Sequence, residues 1–337
     1  MRQLSDKPNQ ILMTEAAYRR AGARLHALAG EIDPVLIDAS GTLRHGCASV
    51  PLAEAQPVIA WAGADVFIDG LFPVLAQAAL EAGDLRWFQS GAAGTDLPVF
   101  AQLLRRGVRV TISHAPSGAV ADFVMNGVLD HLQRGPARRE MRALKQWAPL
   151  PFTEIAGSNW LIIGFGAIGE GVAKRARAFG AHITGVRRAR GTHELADAIE
   201  PPDALASVLP GADVVVLAVP LTRATQHLVN ADFLAQMKRG ALLVNVGRGG
   251  LVDEAALLHA LAVGRVGHAV LDVSSVEPLP EEHPFWLHPQ IALTPHIAGM
   301  GSGVVPRSDD LFLENLGRFL QGVPLLHELA AGRMLDV

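Results

Sequence analysis

The chain has one cysteine, Cys47, among its 337 residues, so it cannot form an internal disulfide bond. Such chains are typical of reducing compartments, and we expect a cytoplasmic protein. No apolar run reaches the roughly 20 residues that a membrane-spanning helix needs. Residues 1–7 lack the apolar core of a signal peptide. These absences predict a globular protein that neither spans a membrane nor enters the secretory pathway.

Neither sign of charge dominates the sequence. Its 29 Lys and Arg residues and 33 Asp and Glu residues give a formal net charge of −4 at pH 7. This balance gives no electrostatic reason to expect nucleic acid or an anionic membrane as a partner. Among the 13 histidines, His268 and His288 show no spacing that suggests a metal site. We therefore predict no bound metal.

Short apolar runs alternate with Ala- and Leu-rich helical stretches, which is typical of α/β architecture with parallel sheets. The length favours about two domains. We predict strands at residues 35–38, 66–69, 86–89 and 108–112 in the first region, and at 160–163, 183–186, 214–218, 242–245, 269–272 and 291–293 in the second. Helices are predicted at residues 72–81, 97–105, 117–134 and 307–320. The helix at 117–134 is expected to cross from one domain to the other.

One glycine-rich turn follows the predicted strand at residues 160–163. It contains Gly164, Gly166 and Gly169, with Ala167 and Ile168 between them, and it opens a helical pattern. Gly164 would allow a tight turn, Gly166 a close approach to pyrophosphate, and Gly169 the packing of helix on strand. Such glycines also end ordinary strands, but a second strand within about 30 residues favours a dinucleotide site.

A cluster of arginines follows the next predicted strand. In an NAD-binding fold, an acid usually accepts hydrogen bonds from the adenosine ribose there. This chain instead has Arg187, Arg188 and Arg190. A guanidinium would attract a ribose 2′-phosphate and could bind it bidentately. We therefore predict a preference for NADP(H), with NAD(H) possible; the alternative is a solvated basic turn.

Polar residues follow the last three predicted strands, at the sheet edge where α/β proteins bind ligands. Arg248 follows the first of these strands, Glu277 lies beyond the second, and His296 follows the third. Hydride transfer to a carbonyl needs a charge that holds an anionic substrate, a proton donor, and a group that tunes the donor. An arginine, a histidine and a carboxylate supply that set. For any one of them alone, a surface or capping role would be the simpler interpretation.

At these residues the chain resembles the D-2-hydroxyacid dehydrogenase family. The similarity extends over nearly the whole chain and is most specific at residues 245–257 (NVGRGGLVDEAAL), at 277–280 (EPLP) and at 294–299 (TPHIAG). The resemblance implies two Rossmann-like or flavodoxin-like domains with parallel sheets and a cleft between them. Residues 1–116 and 302–337 would form the substrate-binding domain, and residues 117–301 the dinucleotide-binding domain.

The resemblance also implies roles for individual residues. Arg248 would anchor the substrate, His296 would act as the general acid, and Glu277 would be its carboxylate partner. Ala93 and Gly94, in a Gly-rich segment, would offer backbone amides to a substrate carboxylate, although an ordinary turn is the alternative. Further cofactor contacts are implied for Val219, Pro220, Val246, Gly247, Asp272 and Gly299. Asp272 resembles the residue that bonds the nicotinamide carboxamide, but an acid there can also cap a helix.

Four positions depart from the family pattern: Arg187, Gly247, Ser274 and Asp122. The catalytic set remains complete. We predict an enzyme that reduces a small 2-oxo acid, such as glyoxylate or hydroxypyruvate, to the D-2-hydroxy acid, and a homodimer formed through residues 117–134. The alternatives are a relative acting on phosphoglycerate, formate or phosphite, and a non-enzymatic sensor or corepressor that binds nicotinamide nucleotides.

Overall fold

The computed structural model describes residues 9–46, 48–51 and 56–330. The single cysteine lies outside these ranges. In chain order the elements are β1 (Asn9–Thr14), α1 (Glu15–Ala29), β2 (Ile32–Ile37), β3 (Leu43–His45), β4 (Ala48–Ser49), β5 (Ile59–Ala62), α2 (Asp65–Ile68), α3 (Phe72–Glu81), β6 (Trp87–Ser90), α4 (Pro98–Arg105), β7 (Arg109–Thr111), α5 (Ser117–Leu132), α6 (Gly135–Ala143), β8 (Asn159–Ile163), α7 (Ala167–Ala178), β9 (His182–Val186), β10 (Ala198–Glu200), α8 (Leu205–Val208), β11 (Val214–Leu217), α9 (Ala231–Gln236), β12 (Ala241–Asn245), α10 (Glu254–Ala262), β13 (Val266–Leu271), β14 (Ile291–Leu293) and α11 (Val304–Gln321).

These elements form two compact units. Unit 1 consists of Met1–Pro116 with Met300–Val337, and unit 2 of Ser117–Gly299. Each unit contains one seven-stranded sheet. The predicted α/β class is therefore confirmed, with parallel pairing dominant in both sheets.

The sheet of unit 1 has the strand order β4-β3-β2-β1-β5-β6-β7. The pairs β2–β3 and β3–β4 are antiparallel, and the other neighbours are parallel. Its strands are buried on both faces: in β1, Leu12 packs into one apolar cluster, while Ile11 and Met13 pack into another. Burial on both faces is expected for a parallel sheet covered by helices.

One predicted strand of unit 1 is wrong. Residues 66–69 do not form a strand, because they lie in and just after the helical turn α2, where the Asp69 amide donates to the Asp65 carbonyl at 2.9 Å. The strand is β5, immediately before this turn. A short apolar run cannot be assigned to strand or helix by periodicity, and the two alanines of β5 concealed its strand character. Strands β1, β3, β4 and β10 were also not predicted.

A segment near the end of the chain pairs with the edge strand β7. The Ile112 amide donates to the His327 carbonyl at 3.1 Å, and the Leu329 amide donates to the Val110 carbonyl at 2.8 Å. Thr111 and Glu328 form an antiparallel bridge. Arg109 adds a bidentate ion pair to Glu328, with both distances at 2.7 Å.

The sheet of unit 2 is parallel throughout, in the order β10-β9-β8-β11-β12-β13-β14. Its central strand β11 is fully buried: Val214 and Val216 face one apolar cluster, and Val215 and Leu217 face the other. The six strands predicted for this region are confirmed, as is the helix beginning at Ser117. Because all strands run the same way, the loops that follow β8, β11, β12, β13 and β14 leave one edge of the sheet.

Candidate functional site

The glycine turn between β8 and α7 has a different physical requirement at each glycine. Gly164 has φ +101°, and a Cβ there would lie 2.4 Å from the Ala218 carbonyl oxygen. A Cβ on Gly169 would lie 2.2 Å from the Gly164 carbonyl oxygen. At Gly166, by contrast, no heavy atom beyond the glycine and its chain neighbours lies within 4 Å of a Cβ position. Gly164 and Gly169 allow the chain to pack on itself, and Gly166 leaves open space at the start of α7.

That open space lies at the N-terminus of a twelve-residue helix. Gly166 is the N-cap, and no side chain caps the first turn, which begins with Ala167 and Ile168. Unpaired amides and the helix dipole favour an anion at such an end. The residues present therefore fit the diphosphate of a dinucleotide.

The predicted arginine cluster follows β9. Arg187 is half-buried, its Nε donates to the Ala189 carbonyl at 3.1 Å, and its backbone amide donates to the Glu200 carbonyl at 3.1 Å. Arg188 and Arg190 are exposed. The turn is basic and solvent-accessible, as both interpretations of the sequence require.

An imidazole that was not predicted lies near the glycine turn. His193 packs edge-on against Phe165, with ring centroids 5.1 Å apart, and its Nε2 lies 3.6 Å from a carboxylate oxygen of Glu170. Phe165 in turn requires a glycine at position 185, where a Cβ would approach its ring to 2.3 Å. A histidine seven residues after the end of a strand carries no periodic signal, so the sequence could not place it here.

The loops after β8, β11 and β12 converge because these strands are neighbours. Val219 follows β11 directly after Ala218, the residue on which Gly164 packs. A Cβ on Gly247 would lie 2.8 Å from the Val219 carbonyl oxygen, and the adjacent Val246 is buried. Pro220 accepts a hydrogen bond from the Thr225 hydroxyl at 2.8 Å. The close approach at Gly247 explains why a larger residue is absent there.

Arg248 lies in a loop that is tied at both ends by a buried asparagine. Asn245 Oδ1 accepts from the Gly247 amide at 3.0 Å, and its Nδ2 donates to the Arg248 carbonyl at 2.9 Å. The guanidinium of Arg248 is half-buried and donates to the Gly247 carbonyl at 2.8 Å. The next residue, Gly249, leaves no room for a Cβ, which would lie 1.9 Å from the Ser274 carbonyl carbon. The arginine loop is thus packed directly on the loop that follows β13.

Asp272 holds the histidine loop. Its carboxylate is buried and accepts three hydrogen bonds, from the Thr294 hydroxyl at 2.7 Å and from the amides of Ile297 and Ala298 at 2.9 Å each. Its carbonyl accepts from the His296 amide at 2.8 Å. Gly299, the last residue of unit 2, follows this loop. The observed bonds fix the backbone around His296, and the cofactor contact of Asp272 stays a prediction.

His296 and Glu277 form a close side-chain contact in the site. His296 Nδ1 lies 2.8 Å from Glu277 Oε2, and the other oxygen, Oε1, accepts from the Ser274 amide at 3.1 Å. The His296 side chain is 47% exposed. Because a carboxylate only accepts, Nδ1 is the donor here, and the opposite ring nitrogen, Nε2, is the one left for a ligand. His296 also has φ +55°, an unusual backbone conformation for a residue with a side chain.

Arg248, Glu277 and His296 are brought together through successive contacts. Gly249 packs on Ser274, whose amide binds Glu277, and Glu277 binds His296. The sequence predicted this grouping because the three residues follow adjacent parallel strands. The intermediary, Ser274, was noted only as a departure from the family pattern.

The candidate substrate loop of unit 1 follows β6. The Gly91 amide donates to the Ala62 carbonyl at 2.6 Å, and a Cβ on Gly91 would lie 2.5 Å from the Ala64 nitrogen. Ala93 and Gly94 come next and are half-buried. The loop is therefore anchored at its base, as a βα turn must be. Trp61, on the adjacent strand, is fully buried and stacks on Phe312 with centroids 4.1 Å apart, so it serves packing.

His268 stacks on His131, with ring centroids 4.3 Å apart and an interplanar angle of 18°. Burial, and then the proximity of His131, lowers the pKa of His268 to about 4.

No cluster of three or more His, Cys, Asp or Glu residues that could hold a metal ion occurs within residues 9–46, 48–51 and 56–330. Across those same ranges, no helix combines the length and apolar character that crossing a bilayer demands.

The part of the chain that contains these motifs also matches a family of known proteins. Residues 125–298 match the family model described as D-isomer specific 2-hydroxyacid dehydrogenase, NAD binding domain. A glycerate dehydrogenase from Methylorubrum extorquens is 33% identical over 278 residues, which cover 78% of this chain and 84% of that protein.

Solved structures resemble the whole chain. A D-isomer specific 2-hydroxyacid dehydrogenase from Xanthobacter autotrophicus, in complex with NADPH, has a TM-score of 0.75 at 28% identity and covers 97% of this chain and 99% of its own. An NADPH-dependent glyoxylate/hydroxypyruvate reductase from Sinorhizobium meliloti, in complex with NADP, has a TM-score of 0.73 at 25% identity, with the same coverage.

Proposed function

Because the chain belongs to the D-isomer specific 2-hydroxyacid dehydrogenase family and is an NAD(P)-dependent enzyme, we propose that it reduces a small 2-oxo acid with NADPH. The product is the D-2-hydroxy acid. The observation that best supports the proposal is the 2.8 Å contact between His296 Nδ1 and Glu277 Oε2. The loop that contains Arg248 packs on the loop that leads to Glu277.

His296 acts as the general acid. A nicotinamide, when bound, would supply a hydride for the carbonyl carbon. His296 Nε2 gives a proton to the carbonyl oxygen, so the 2-oxo acid gains one hydride and one proton. Glu277 stabilises the charged imidazolium that precedes this transfer and fixes the ring through Nδ1. The half-buried guanidinium of Arg248 holds the substrate carboxylate, which orients the carbonyl.

Unit 2 binds the cofactor. Gly164, Gly166, Ala167, Ile168 and Gly169 would hold the diphosphate at the N-terminus of α7. The residues that would hold the nicotinamide half are Val219, Pro220, Val246, Gly247, Asp272 and Gly299. The carboxylate of Asp272 has two oxygens and four acceptor positions, of which three are occupied, so one position remains for an amide donor. Residues 117–301 are accordingly the dinucleotide-binding domain.

NADPH is the preferred form of the cofactor. Arg187 and Arg188 are accessible at the position where an NAD-binding fold usually has an acidic residue that binds the adenosine ribose. Two structurally similar proteins were solved with NADPH or NADP. A guanidinium forms a stronger interaction with a charged 2′-phosphate than with an uncharged 2′-hydroxyl, which water can bind instead.

Unit 1 is the substrate-binding domain in this proposal. Ala93 and Gly94 present backbone amides to the substrate carboxylate, which makes residues 1–116 and 302–337 the substrate-binding domain. Glyoxylate and hydroxypyruvate are the substrates we favour, because the similar proteins include a glyoxylate/hydroxypyruvate reductase and a glycerate dehydrogenase. Glycerate is the product of hydroxypyruvate reduction.

The enzyme is a homodimer in this proposal and acts in the cytoplasm. Helix α5 carries the contact, and the segment after it adds exposed apolar side chains, with Leu144 at 58% and Trp147 at 104% relative exposure. Exposed apolar side chains such as these can take part in a subunit contact. Light scattering coupled to size-exclusion chromatography tests this: a monomer mass at micromolar concentration would contradict it.

Initial rates of NADPH and NADH oxidation, with glyoxylate, hydroxypyruvate, pyruvate and phenylpyruvate, test the proposed function. The Arg187→Asp variant should raise the KM for NADPH by about 10- to 100-fold, the range of a hydrogen bond to a charged group, and leave the KM for NADH little changed. Arg19→Asp, the same charge reversal on an exposed position of α1, is the matched control. Tight nucleotide binding without turnover of any 2-oxo acid would favour a nucleotide sensor instead.

A further inference from the structure

Glu254 occupies a position that usually serves only its own helix. It is the first residue of α10, directly after the N-cap Asp253, whose side chain accepts from the Ala256 amide at 3.0 Å. An acid in the first turn ordinarily interacts with the helix dipole. The carboxylate of Glu254 instead reaches a neighbouring loop: Oε1 accepts from the Ser275 amide at 2.8 Å, and Oε2 lies 3.3 Å from His283 Nε2.

The other oxygen of Glu254 is held by a histidine whose tautomer is defined. His283 Nδ1 accepts from the Phe285 amide at 3.3 Å, so the ring hydrogen is on Nε2, the nitrogen that faces Glu254. The pairing therefore does not require His283 to be charged. Both side chains are largely shielded, at 18% exposed for Glu254 and 21% for His283. The Glu254 carboxylate is consequently restrained on both oxygens.

Two carboxylates hold adjacent amides of one dipeptide. The Ser275 amide binds Glu254, and the preceding Ser274 amide binds Glu277 Oε1. The Ser274 hydroxyl closes the turn by donating to the Val276 carbonyl at 2.9 Å. The backbone of Gly249 packs against the same dipeptide. Any displacement of the dipeptide would therefore move the acceptor of His296.

We propose that Glu254 is a positioning residue that holds the 274–275 dipeptide, and through it sets Glu277 against His296. This inference rests on the proposed function for its kinetic consequence, but its structural consequence is independent of turnover. Glu254 does not touch the reacting atoms in this scheme. It determines whether Glu277 and His296 meet at hydrogen-bonding distance.

The kinetic test uses three variants of the full chain. Glu254→Ala should lower kcat by about 10- to 100-fold, since a misplacement of about 1 Å at a catalytic group has effects of that size. Glu254→Gln retains an acceptor for the Ser275 amide and should recover kcat to within a few-fold of the wild type. Glu254→Asp keeps the charge at the helix N-terminus but shortens the side chain, so it should resemble Glu254→Ala. The KM for NADPH should not change in any of them.

Asp232→Ala is the matched control, because it removes an exposed first-turn acid from α9 in the same unit. A general loss of stability would affect the control and the Asp and Ala variants of Glu254 alike. If Glu254→Ala does not fold, the comparison of Glu254→Asp with Glu254→Gln still decides, because only the latter has the reach to bond Ser275.

A spectroscopic measurement separates this inference from the proposed function. In ¹⁵N-histidine-labelled protein, the Nδ1–H proton of His296 should give a protected, downfield signal, assigned by its loss in His296→Asn. The signal should disappear in Glu254→Ala and persist in Glu254→Gln and Asp232→Ala. Persistence in Glu254→Ala, or unchanged kcat, would overturn the positioning role. If the wild type reduces no 2-oxo acid, the proposed function fails, and the signal alone still decides this inference.

Discussion

A histidine lies near each end of strand β13, and the two histidines differ in the side chain that contacts them. Near the start, His268 stacks on His131, and at the far end, beyond Asp272, His296 contacts Glu277. In the first pair, burial lowers the pKa of both rings, and the neighbouring His131 lowers the pKa of His268 further. In the second the neighbour is a carboxylate, which accepts a hydrogen bond from the ring.

The acid next to the stacked pair, Asp130, raises the pKa of both rings but does not cancel the lowering. Asp130, adjacent to His131 in the sequence, makes a bidentate ion pair with Arg139 at 2.7 and 3.0 Å. That contact lowers the pKa of Asp130 and engages its charge. The two histidines therefore differ in the partner that the fold places beside them, which is an imidazole for His268 and a carboxylate for His296.

Replacing the histidine near each end of β13 should give the largest difference in kcat, because only His296 is the proposed general acid. His296→Gln should lower kcat by about 10² to 10⁴, the usual contribution of general acid catalysis. His268→Gln should leave kcat at neutral pH within a few-fold of the wild type. Steady-state rates with saturating NADPH measure both. Equal losses in the two variants would mean that the proposed site is not where the proton is transferred.

Removing the carboxylate tests the partner itself. Glu277→Gln keeps the side-chain size but replaces the charged acceptor of His296, and we expect kcat to fall by about 10- to 100-fold, as for a hydrogen bond to a charged group. The Kd for NADPH, measured by fluorescence, should stay unchanged. A weakened Kd with unaltered kcat would assign Glu277 to the cofactor instead.

The stacked pair should be visible in the pH dependence of stability. Because the pKa of His268 in the folded protein is lowered to about 4, the unfolded chain binds more protons between its ordinary value of about 6.5 and about 4. The stabilising contribution is therefore complete above about pH 6.5 and is lost as the pH falls toward 4. Burial lowers the pKa of His131 in the same direction.

His268→Phe keeps an aromatic ring against His131 and removes one titrating group. We expect the free energy of unfolding to fall less between pH 7 and pH 4.5 than in the wild type, by on the order of 1 kcal/mol. The surrounding ionisable groups, Asp130 and His288, remain in both proteins. Urea unfolding at the two pH values measures the difference, and parallel pH profiles would contradict this assignment.

The smallest expected effect concerns the backbone of His296. Its φ of +55° is more favourable for asparagine than for alanine. His296→Asn should thus be more stable than His296→Ala by about 1 kcal/mol, with both variants equally impaired in catalysis. Thermal unfolding compares them directly. Identical midpoints would show that the surrounding bonds from Asp272 do not hold this conformation in solution.

The unit 2 sheet was predictable because its signals are local. Six of its seven strands are short apolar runs, most of them followed by a glycine or a polar residue, and this placed Gly164, Arg248 and His296 at one edge. Strand β10 lacks this signal and was not predicted. The α2 region of unit 1 gave no such signal, since Val66 fits a buried helix as well as a strand. The roles of Asp272 and Glu254 depend on which loops approach which carboxylates, and only the folded backbone determines that.

The segment that pairs with β7 has a consequence for aggregation. An edge strand exposes unpaired amides and carbonyls that can recruit a strand from another molecule. Here residues 327–329 occupy part of that edge, and the Arg109–Glu328 pair fastens them to it. Detachment of this short segment would leave the rest of the sheet formed while uncovering a template for intermolecular pairing. The segment thus protects the folded enzyme from association with its own copies at one edge of the unit 1 sheet.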